Sequence, residues 1–306
     1  MGKVVVIGSS NTDMVVSTDK APLPGETVLG SGFFMAPGGK GANQAVAAAR
    51  SGAKVVFVTR LGRDDFGKNS LAGYKRDGLD ITYVSFDKEE PSGTALIAVD
   101  KKAQNSIVVA PGANWKLSPS DIKRAEAAIK NAACIVLQQE IPEETVECAI
   151  DLACAHKVPV ILNPAPARKI KKVILKKVYL LNPNETEAQF LTGVKITGER
   201  SAKSAATKLL GLGPENVIIT LGSRGVFAAG RGFEMLVPAF KVKAVDTTAA
   251  GDTFTGGFAA AFASGSDFYE CVRFGSAAAA LCVTKKGAQS SIPYRKEVEQ
   301  FLNHRK

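Results

Sequence analysis

The strongest constraint on the fold is a rhythm: short, continuous apolar runs alternate with helix-forming stretches along most of the 306-residue chain. Strands are predicted at Val4–Ile7, Val55–Val58, Cys134–Leu137, Val158–Leu162, Tyr179–Leu181, Val217–Thr220 and Val226–Ala229. Helices are predicted near 41–51, 65–77, 118–131, 143–156, 185–192 and 201–211. Strands that are apolar throughout, rather than at alternate residues, belong to sheets covered by helices on both faces. The expected architecture is therefore one doubly wound α/β domain over 1–306, a mostly parallel sheet flanked by helices, with ligands at the carboxyl ends of the strands.

Two stretches break the rhythm. One is about 12–37, with Pro22, Pro24, Gly25 and the pair Phe33-Phe34; the other is about 92–110, where Thr94–Val99 and Ser106–Ala110 read as a hairpin around Asp100–Asn105. Together they are expected to form a small projecting β-sheet, serving as a lid, a dimer surface or both, with an ordinary edge hairpin as the plain alternative.

Composition removes several function classes. The net charge of +10 would suit nucleic acid, but the densest basic cluster, Arg168–Lys177, has no interleaved aromatic residues to stack on bases. It reads as a solvated helix face, and no nucleic-acid partner is expected; the charge does favour anionic ligands such as ATP. No apolar run approaches the roughly 18–20 residues that cross a bilayer, so no membrane partner is expected. Met1–Gly8 reads as a first strand rather than a leader. The five cysteines (Cys134, Cys148, Cys154, Cys271, Cys282) are odd in number and form no C-x-x-C. Free thiols in a reducing, cytoplasmic compartment are expected, with a nuclear fraction left open. Only His156 and His304 are available as histidines, which leaves little for a His-based triad or metal site.

Chemistry concentrates in Asp246-Thr247-Thr248-Ala249-Ala250-Gly251-Asp252. Before it, Phe240–Val245 alternates like a strand buried on one face; after it, Phe254, Phe258 and Phe262 recur at helical spacing. Such a turn puts Asp252 beside the free N–H groups and positive dipole end of a helix. An anion site with a carboxylate beside it suggests phosphoryl transfer to a hydroxyl, with Asp252 taking the proton. On this motif alone, an Asp that merely complements the helix dipole is an equal reading.

Other strand ends carry weaker signals. After the first strand, Asn11 and Asp13 could bind adjacent hydroxyls of a polyol, or form an Asx-turn. In Pro37–Gly52, glycines let backbone approach a ligand, and Asn43 lies in the first turn of an Ala-rich helix. Gly39-Lys40 looks superficially like part of a P-loop, but Phe34 stands where Gly is needed and Gly41 where Ser or Thr is; no G-x-G-x-x-G is intact either. Gln138-Gln139-Glu140 could add a carboxylate to a polyol site. Asn184 and Glu187 could face a hydrated Mg²⁺, or form a capping box. Thr220–Gly225 could cradle phosphate, or be a simple hairpin turn.

Together with Asn163-Pro164-Ala165-Pro166-Ala167 and Lys286–Ser291, these segments resemble the ribokinase-type family of carbohydrate and nucleoside kinases, essentially end to end. Gly39-Lys40-Gly41-Ala42-Asn43 and Ala250-Gly251-Asp252 are its most specific part. The resemblance implies an ATP-dependent kinase that phosphorylates the 5-hydroxyl of D-ribose, giving ribose 5-phosphate and ADP. It implies a sugar pocket of Asn11, Thr12, Asp13, Gly39, Lys40, Gly41, Ala42, Asn43 and Glu140, with Asp252 as base. The N–H groups of Ala249, Ala250, Gly251 and Asp252 would form the anion hole. Asn184 and Glu187 would organise Mg²⁺ and phosphates, while Thr220, Leu221, Gly222, Ser223, Arg224, Gly225 and Ser276 would hold ATP. A K⁺ ion would take oxygens of Asp246, Thr248, Cys282, Lys285, Gly287 and Ser291, the Cys282 and Lys285 contributions being backbone carbonyls. The lid would make a homodimer contact.

Sister activities on fructose, deoxyribose or a nucleoside such as adenosine compete with this reading, as does a non-catalytic sugar-binding regulator. The polarity of Asn11, Asp13, Asn43 and Glu140 suits a small polyol, and the presence of Asp252 argues against a mere binder. Many family members have Gly at position 249; Ala249 predicts a backbone that avoids positive φ there.

Overall fold

The computed structural model describes residues 2–101 and 105–304. The chain opens with β1 (Lys3–Ile7), β2 (Asn11–Thr18), β3 (Gly30–Gly38) and α1 (Lys40–Arg50). It continues through β4 (Lys54–Leu61), α2 (Asp65–Arg76), β5 (Val84–Phe86), β6 (Gly93–Val99) and β7 (Asn105–Ala110). Next come α3 (Pro119–Arg124), α4 (Glu126–Lys130), β8 (Cys134–Leu137), α5 (Glu143–Ala155), β9 (Val160–Leu162), α6 (Lys172–Leu175) and β10 (Leu180–Leu181). The last third comprises α7 (Glu185–Thr192), α8 (Glu199–Leu212), β11 (Asn216–Thr220), β12 (Val226–Gly230), β13 (Phe233–Val237), α9 (Ala250–Ala263), α10 (Phe268–Cys282) and α11 (Arg295–Asn303).

Nine strands form the main sheet in the order β13-β12-β11-β10-β9-β8-β1-β4-β5. It is parallel from β5 to β11, and β12 and β13 run antiparallel at its edge. Successive residues of β1 serve opposite cores, which is why the run carries no polar alternation. Val5 and Ile7 join Ile122 of α3, Ile150 of α5 and Leu209 of α8. Val4 and Val6 face the other way, with Val46 of α1 and Phe258 of α9. The winding reverses at β1: the chain adds β4 and β5 on one side, then β8 to β11 on the other. Crevices at such reversals, beyond the carboxyl ends of the strands, are where α/β sheets bind ligands.

A second sheet, ordered β3-β2-β6-β7, stands apart from the first. Its root is short: only three residues separate β1 from β2, and β3 runs into Gly39 and α1. The two expected off-rhythm stretches thus pair with each other, β2 lying parallel to β6. Residues 102–104 of the expected hairpin turn, and Met1 of the expected N-terminal strand segment, lie outside the described residues.

Several expectations need correction. Phe240–Val245 is not a strand: it pairs with no strand, and the Val245 and Asp246 N–H groups bond the Val283 carbonyl instead. Phe240, Lys241, Val242 and Ala244 instead line a cavity described below. The helix expected over 118–131 is interrupted at Ala125. The basic cluster contributes only the short α6; Lys171 and Lys177 pair with Glu147 at 2.8 Å and Asp151 at 2.7 Å across the surface of α5, consistent with a solvated face. β5, β13, α10 and α11 had no counterpart in the periodicity reading. Among the described residues no helix is long and apolar enough to cross a membrane.

Candidate active site

α1 begins at the winding reversal because Gly39 adopts φ 87°, a left-handed conformation suited to glycine. A Cβ there would lie 2.7 Å from the Asn11 nitrogen, so the turn also lets β2 pass close by. The first N–H groups of α1 are then consumed by protein. Lys40 donates to Glu140 Oε2 at 3.0 Å, Gly41 to Ser9 Oγ at 3.2 Å and Ala42 to the Ser9 carbonyl at 2.8 Å. Ser9 Oγ donates in turn to Glu140 Oε2 at 2.6 Å, joining the ends of β1 and β8. This helix end is occupied, and it is no anion site.

α9 is different. Ala249 caps it at φ 59°, ψ 10°, so the expectation that this residue avoids positive φ is wrong. A left-handed residue at this point reverses the chain into the helix, and the turn is closed by Ala250 N–H to the Thr247 carbonyl at 3.2 Å. The family's glycine is the unstrained choice here; alanine bears a cost of about 1 kcal/mol. Of the four expected anion-hole donors, Ala250's N–H is thus engaged. Among the described hydrogen bonds, those of Ala249, Gly251 and Asp252 go to no protein acceptor.

Asp252 lies in the first turn of α9, only 7% exposed. Asn43 Nδ2 donates to its Oδ2 at 3.0 Å and Gln44 Nε2 to its Oδ1 at 2.9 Å. α1 and α9 pack closely enough for this because Gly256 has no side chain; a Cβ there would sit 2.6 Å from the Gln44 carbonyl oxygen. Asn43 Oδ1 is buried without a protein partner, an acceptor open to a ligand hydroxyl. Asn11 is no Asx-turn: its Oδ1 accepts from Asn114 Nδ2 at 2.7 Å, and Asn114 Oδ1 accepts from Ser10 N–H at 2.9 Å.

Charge in this crevice is unbalanced toward acid. Burial, then the carboxylates of Glu140 and Asp252, push Asp13 up to about 6, with Lys40 pulling partly back. Burial alone would lower the Lys40 ammonium, but Asp252, Glu140, Glu187 and Asp13 hold it above its ordinary value. Lys40 is therefore a firmly charged cation among four carboxylates.

Asn184 and Glu187 form the capping box of α7. Glu187 Oε2 accepts from Asn184 N–H at 2.8 Å and Oε1 from Asn184 Nδ2 at 2.9 Å, while Glu187 N–H donates to Asn184 Oδ1 at 2.9 Å. Burial raises Glu187, against the Asn184 N–H and Lys40. Beside the N-terminus of α9 lies a cavity of about 440 Å³, lined by Thr220, Gly222, Ser223, Gly225, Gly251 and Ser276 among others. Val226, Phe240, Val242, Ala279 and Val283 make its walls largely apolar. Ser276 Oγ is buried without a protein partner. Two of the expected nucleotide residues point elsewhere: Leu221 is buried beneath the turn, and Arg224 pairs with Glu185.

Of the expected cation ligands, Asp246, Thr248, Cys282, Gly287 and Ser291 are linked by hydrogen bonds just before α9. Asp246 Oδ1 accepts from Thr248 N–H at 2.9 Å, and its Oδ2 from Gly287 N–H at 2.9 Å. Those donors outweigh burial and hold Asp246 below its usual range. The Cys282 thiol touches the Thr248 carbonyl at 3.7 Å and Ser291 Oγ at 3.0 Å. Lys285 turns its ammonium outward to Glu297 at 2.9 Å, and the Cys282 carbonyl accepts from Lys285 N–H at 3.1 Å.

Sequence reasoning missed Ser9, Gln44, Asn114, Asn163 and Asn182 as parts of this site. Gln44 had a signal, its adjacency to Asn43; the others are amides or hydroxyls whose partners are distant in sequence.

Known proteins match the chain along nearly its whole length. Residues 1–295 match the profile described as pfkB family carbohydrate kinase. A ribokinase from Haemophilus influenzae is 47% identical over 301 residues, covering 98% of each chain. A deoxyribokinase from Salmonella typhi is 40% identical over 301 residues, again 98% of each. The structure of Arabidopsis thaliana ribokinase complexed with ribose and ATP superposes with a TM-score of 0.91 at 36% identity, covering 98% of both chains.

Proposed function

The chain belongs to the pfkB family of carbohydrate kinases, and from that premise we propose that it transfers the γ-phosphoryl group of ATP to the 5-hydroxyl of D-ribose, yielding ribose 5-phosphate and ADP. The observation that carries this reading is the position of Asp252: a buried carboxylate, held on both oxygens, at the start of α9, where among the described hydrogen bonds the Ala249, Gly251 and Asp252 N–H groups have no protein acceptor.

Ribose sits between Asn11, Asp13, Asn43 and Glu140, whose polar atoms match a small polyol and offer no apolar platform for a base. Thr12, Gly39, Gly41 and Ala42 shape the backbone around it. ATP enters the apolar cavity, with Ser276 and the Thr220–Gly225 turn against the nucleotide and the phosphates directed at the N-terminus of α9. The 5-hydroxyl proton passes to an Asp252 oxygen as that hydroxyl attacks the γ-phosphorus in line and ADP leaves. The free N–H groups of Ala249, Gly251 and Asp252, with the Lys40 ammonium, face the charge that develops on the phosphoryl oxygens.

Two cations suit the residues present. Both Glu187 oxygens already accept hydrogen bonds, and among the described residues no group of three or more His, Cys, Asp or Glu is placed to hold a metal. Asn184 and Glu187 therefore fit Mg²⁺ through its water shell, riding on the phosphates. Around Cys282 lie one carboxylate, Asp246, and neutral oxygens of Thr248 and Ser291, a set that fits K⁺; Cys282, Lys285 and Gly287 would add carbonyls. Bound there, the cation would supply positive field behind the anion hole.

The second sheet is read as a lid and as a homodimer surface. Phe33, Phe34 and Met35 of β3 and Ile107 and Val108 of β7 are each more than half exposed; the strand register puts Phe33, Met35 and Val108 on one face of the sheet and Phe34 and Ile107 on the other, apolar surface that a second copy would cover. All five cysteines are unpaired, and burial pushes Cys134 and Cys271 up to about 12, in keeping with a cytoplasmic protein.

The test is ADP release with ribose, deoxyribose, fructose, adenosine and uridine at equal concentration. Ribose is expected to give the highest kcat/KM. A preference for deoxyribose would move the assignment to that sister activity, and no turnover with any acceptor would sink the kinase reading.

A further inference from the structure

A chain of amides, buried at Gln44, Gln138 and Asn182 and half-buried at Asn163, runs beneath the Asp252 carboxylate, across the carboxyl ends of four neighbouring strands. Asn182, just after β10, donates from Nδ2 to the Ile218 carbonyl of β11 at 2.9 Å. Asn163, just after β9, donates from Nδ2 to the Asn182 carbonyl at 2.8 Å, and its Oδ1 accepts from Gln44 Nε2 at 3.2 Å. The same Gln44 Nε2 donates to Asp252 Oδ1 at 2.9 Å. Gln44 Oε1 accepts from Gln138 Nε2, at the end of β8, at 2.6 Å. Gln44 and Gln138 are fully buried, so water cannot substitute for a lost partner.

A carboxamide can be turned over, exchanging its donor for its acceptor. A backbone carbonyl cannot, and this sets the direction of the whole chain. Because the Asn182 carbonyl only accepts, Asn163 must present Nδ2 to it and Oδ1 to Gln44. Gln44 must then present its NH₂ to Asn163 and to Asp252, leaving its oxygen for Gln138. The reverse orientation would set an amide oxygen against both a carboxylate and another oxygen.

We infer that Gln44 and Asn163 are positioning residues for the phosphoryl transfer. Gln44 fixes Asp252 Oδ1 while Asn43 fixes Oδ2, so the carboxylate is held against rotation with its remaining lone pairs on the crevice side. Asn163 acts through Gln44, by keeping the NH₂ turned toward the base. The inference rests on the assignment of Asp252 as the base.

The experiment compares the full-length enzyme with Gln44→Met, Asn163→Ala and the double variant. The rates of ribose phosphorylation are expressed per ribose-binding site counted by calorimetry. Gln44→Met keeps the length and apolar bulk but has no donor; kcat is expected to fall about 10–100-fold, the range for losing a hydrogen bond to a charged group, with ribose KM changed less than about threefold. Asn163→Ala should lower kcat about tenfold, and the double variant should be no slower than Gln44→Met, because both act on one contact. A Gln44→Met kcat within threefold of wild type, or losses that multiply in the double variant, would overturn the inference. If Gln44→Met does not fold, Asn163→Ala alone decides it, an unchanged kcat counting against. Failure of the wild type to phosphorylate ribose would instead remove the underlying kinase reading.

Discussion

The Asn43 amide lies 3.0 Å from the Asp252 carboxylate across 209 residues of sequence, joining the first turn of one helix to the first turn of another. That contact makes the proposed base and the proposed sugar pocket a single unit. Asp252→Asn would set an NH₂ against one of the two donors that now hold the carboxylate, besides removing the base. The expected loss in kcat is about 10²–10⁴-fold, with ATP affinity nearly intact. Steady-state kinetics and nucleotide titration check it, and near-normal turnover would remove the assigned role.

Asp13 carries a second, separable expectation. Its folded value of about 6 lies above the ordinary 3.8, so the folded chain binds more protons than the unfolded one between those pH values. Its contribution to stability is fully present below about pH 4 and is lost as pH rises through 6. Asp13→Asn should therefore raise Tm at pH 7.5 by about 2–4 °C, the shift a kcal/mol produces in a chain of this size, and leave Tm unchanged near pH 4. The same variant should weaken ribose binding by about tenfold or more. Paired melts and calorimetry test both halves.

Position 249 offers a backbone test. Ala249→Gly is expected to stabilise the protein by about 1 kcal/mol, because glycine meets no Cβ penalty at φ 59°. Ala249→Val should destabilise it by more than that, since a β-branched residue tolerates this region worst. Chemical denaturation of the three proteins gives the order; Val equal to Ala would contradict the left-handed cap.

For the cation, activity should rise when Na⁺ is replaced by K⁺ at constant ionic strength. Asp246→Ala removes the carboxylate that binds Gly287 N–H and Thr248 together. It should raise the K⁺ concentration for half-activation about tenfold, which corresponds to about 1.4 kcal/mol, and abolish any K⁺-induced rise in Tm. A wild-type enzyme indifferent to K⁺ would discard the site while leaving the kinase assignment in place.

For the second sheet, Phe33→Ser combined with Phe34→Ser should convert a dimer to a monomer in sedimentation velocity. A wild-type protein that sediments as a monomer at micromolar concentration would refute the dimer outright.

What could be seen in advance divides along physical lines. Signals written in local sequence were legible: the apolar runs of β1, β4 and β8, the Gly39–Asn43 turn, and Asp252 in a helix start. The capping box at Asn184 and Glu187 was also foreseen, though only as an alternative to a metal role. Features that exist only when distant strands meet were not. Asn114 bonds Asn11, and Asn163 bonds Gln44, across more than a hundred residues; an isolated Asn carries no mark of such a partner. α10 escaped because its run Ser276–Leu281 is nearly uniform alanine, which blurs the stripe that periodicity detects. Ala249 misled because propensity opposes the conformation that the turn geometry demands.

The root of the second sheet has a mechanical meaning. β2 starts at Asn11 and β3 ends one residue before Gly39, so the strands that project outward are the direct continuation of the backbone proposed to line the sugar pocket. On the proposed reading the sheet would act as a lever pivoted on the pocket: a tilt at its rim would be felt first at Asn11, Asp13 and Lys40. Substitutions far out on β3 or β7 can thus retune sugar affinity without contacting it, and a partner pressed against the rim has a handle on the pocket.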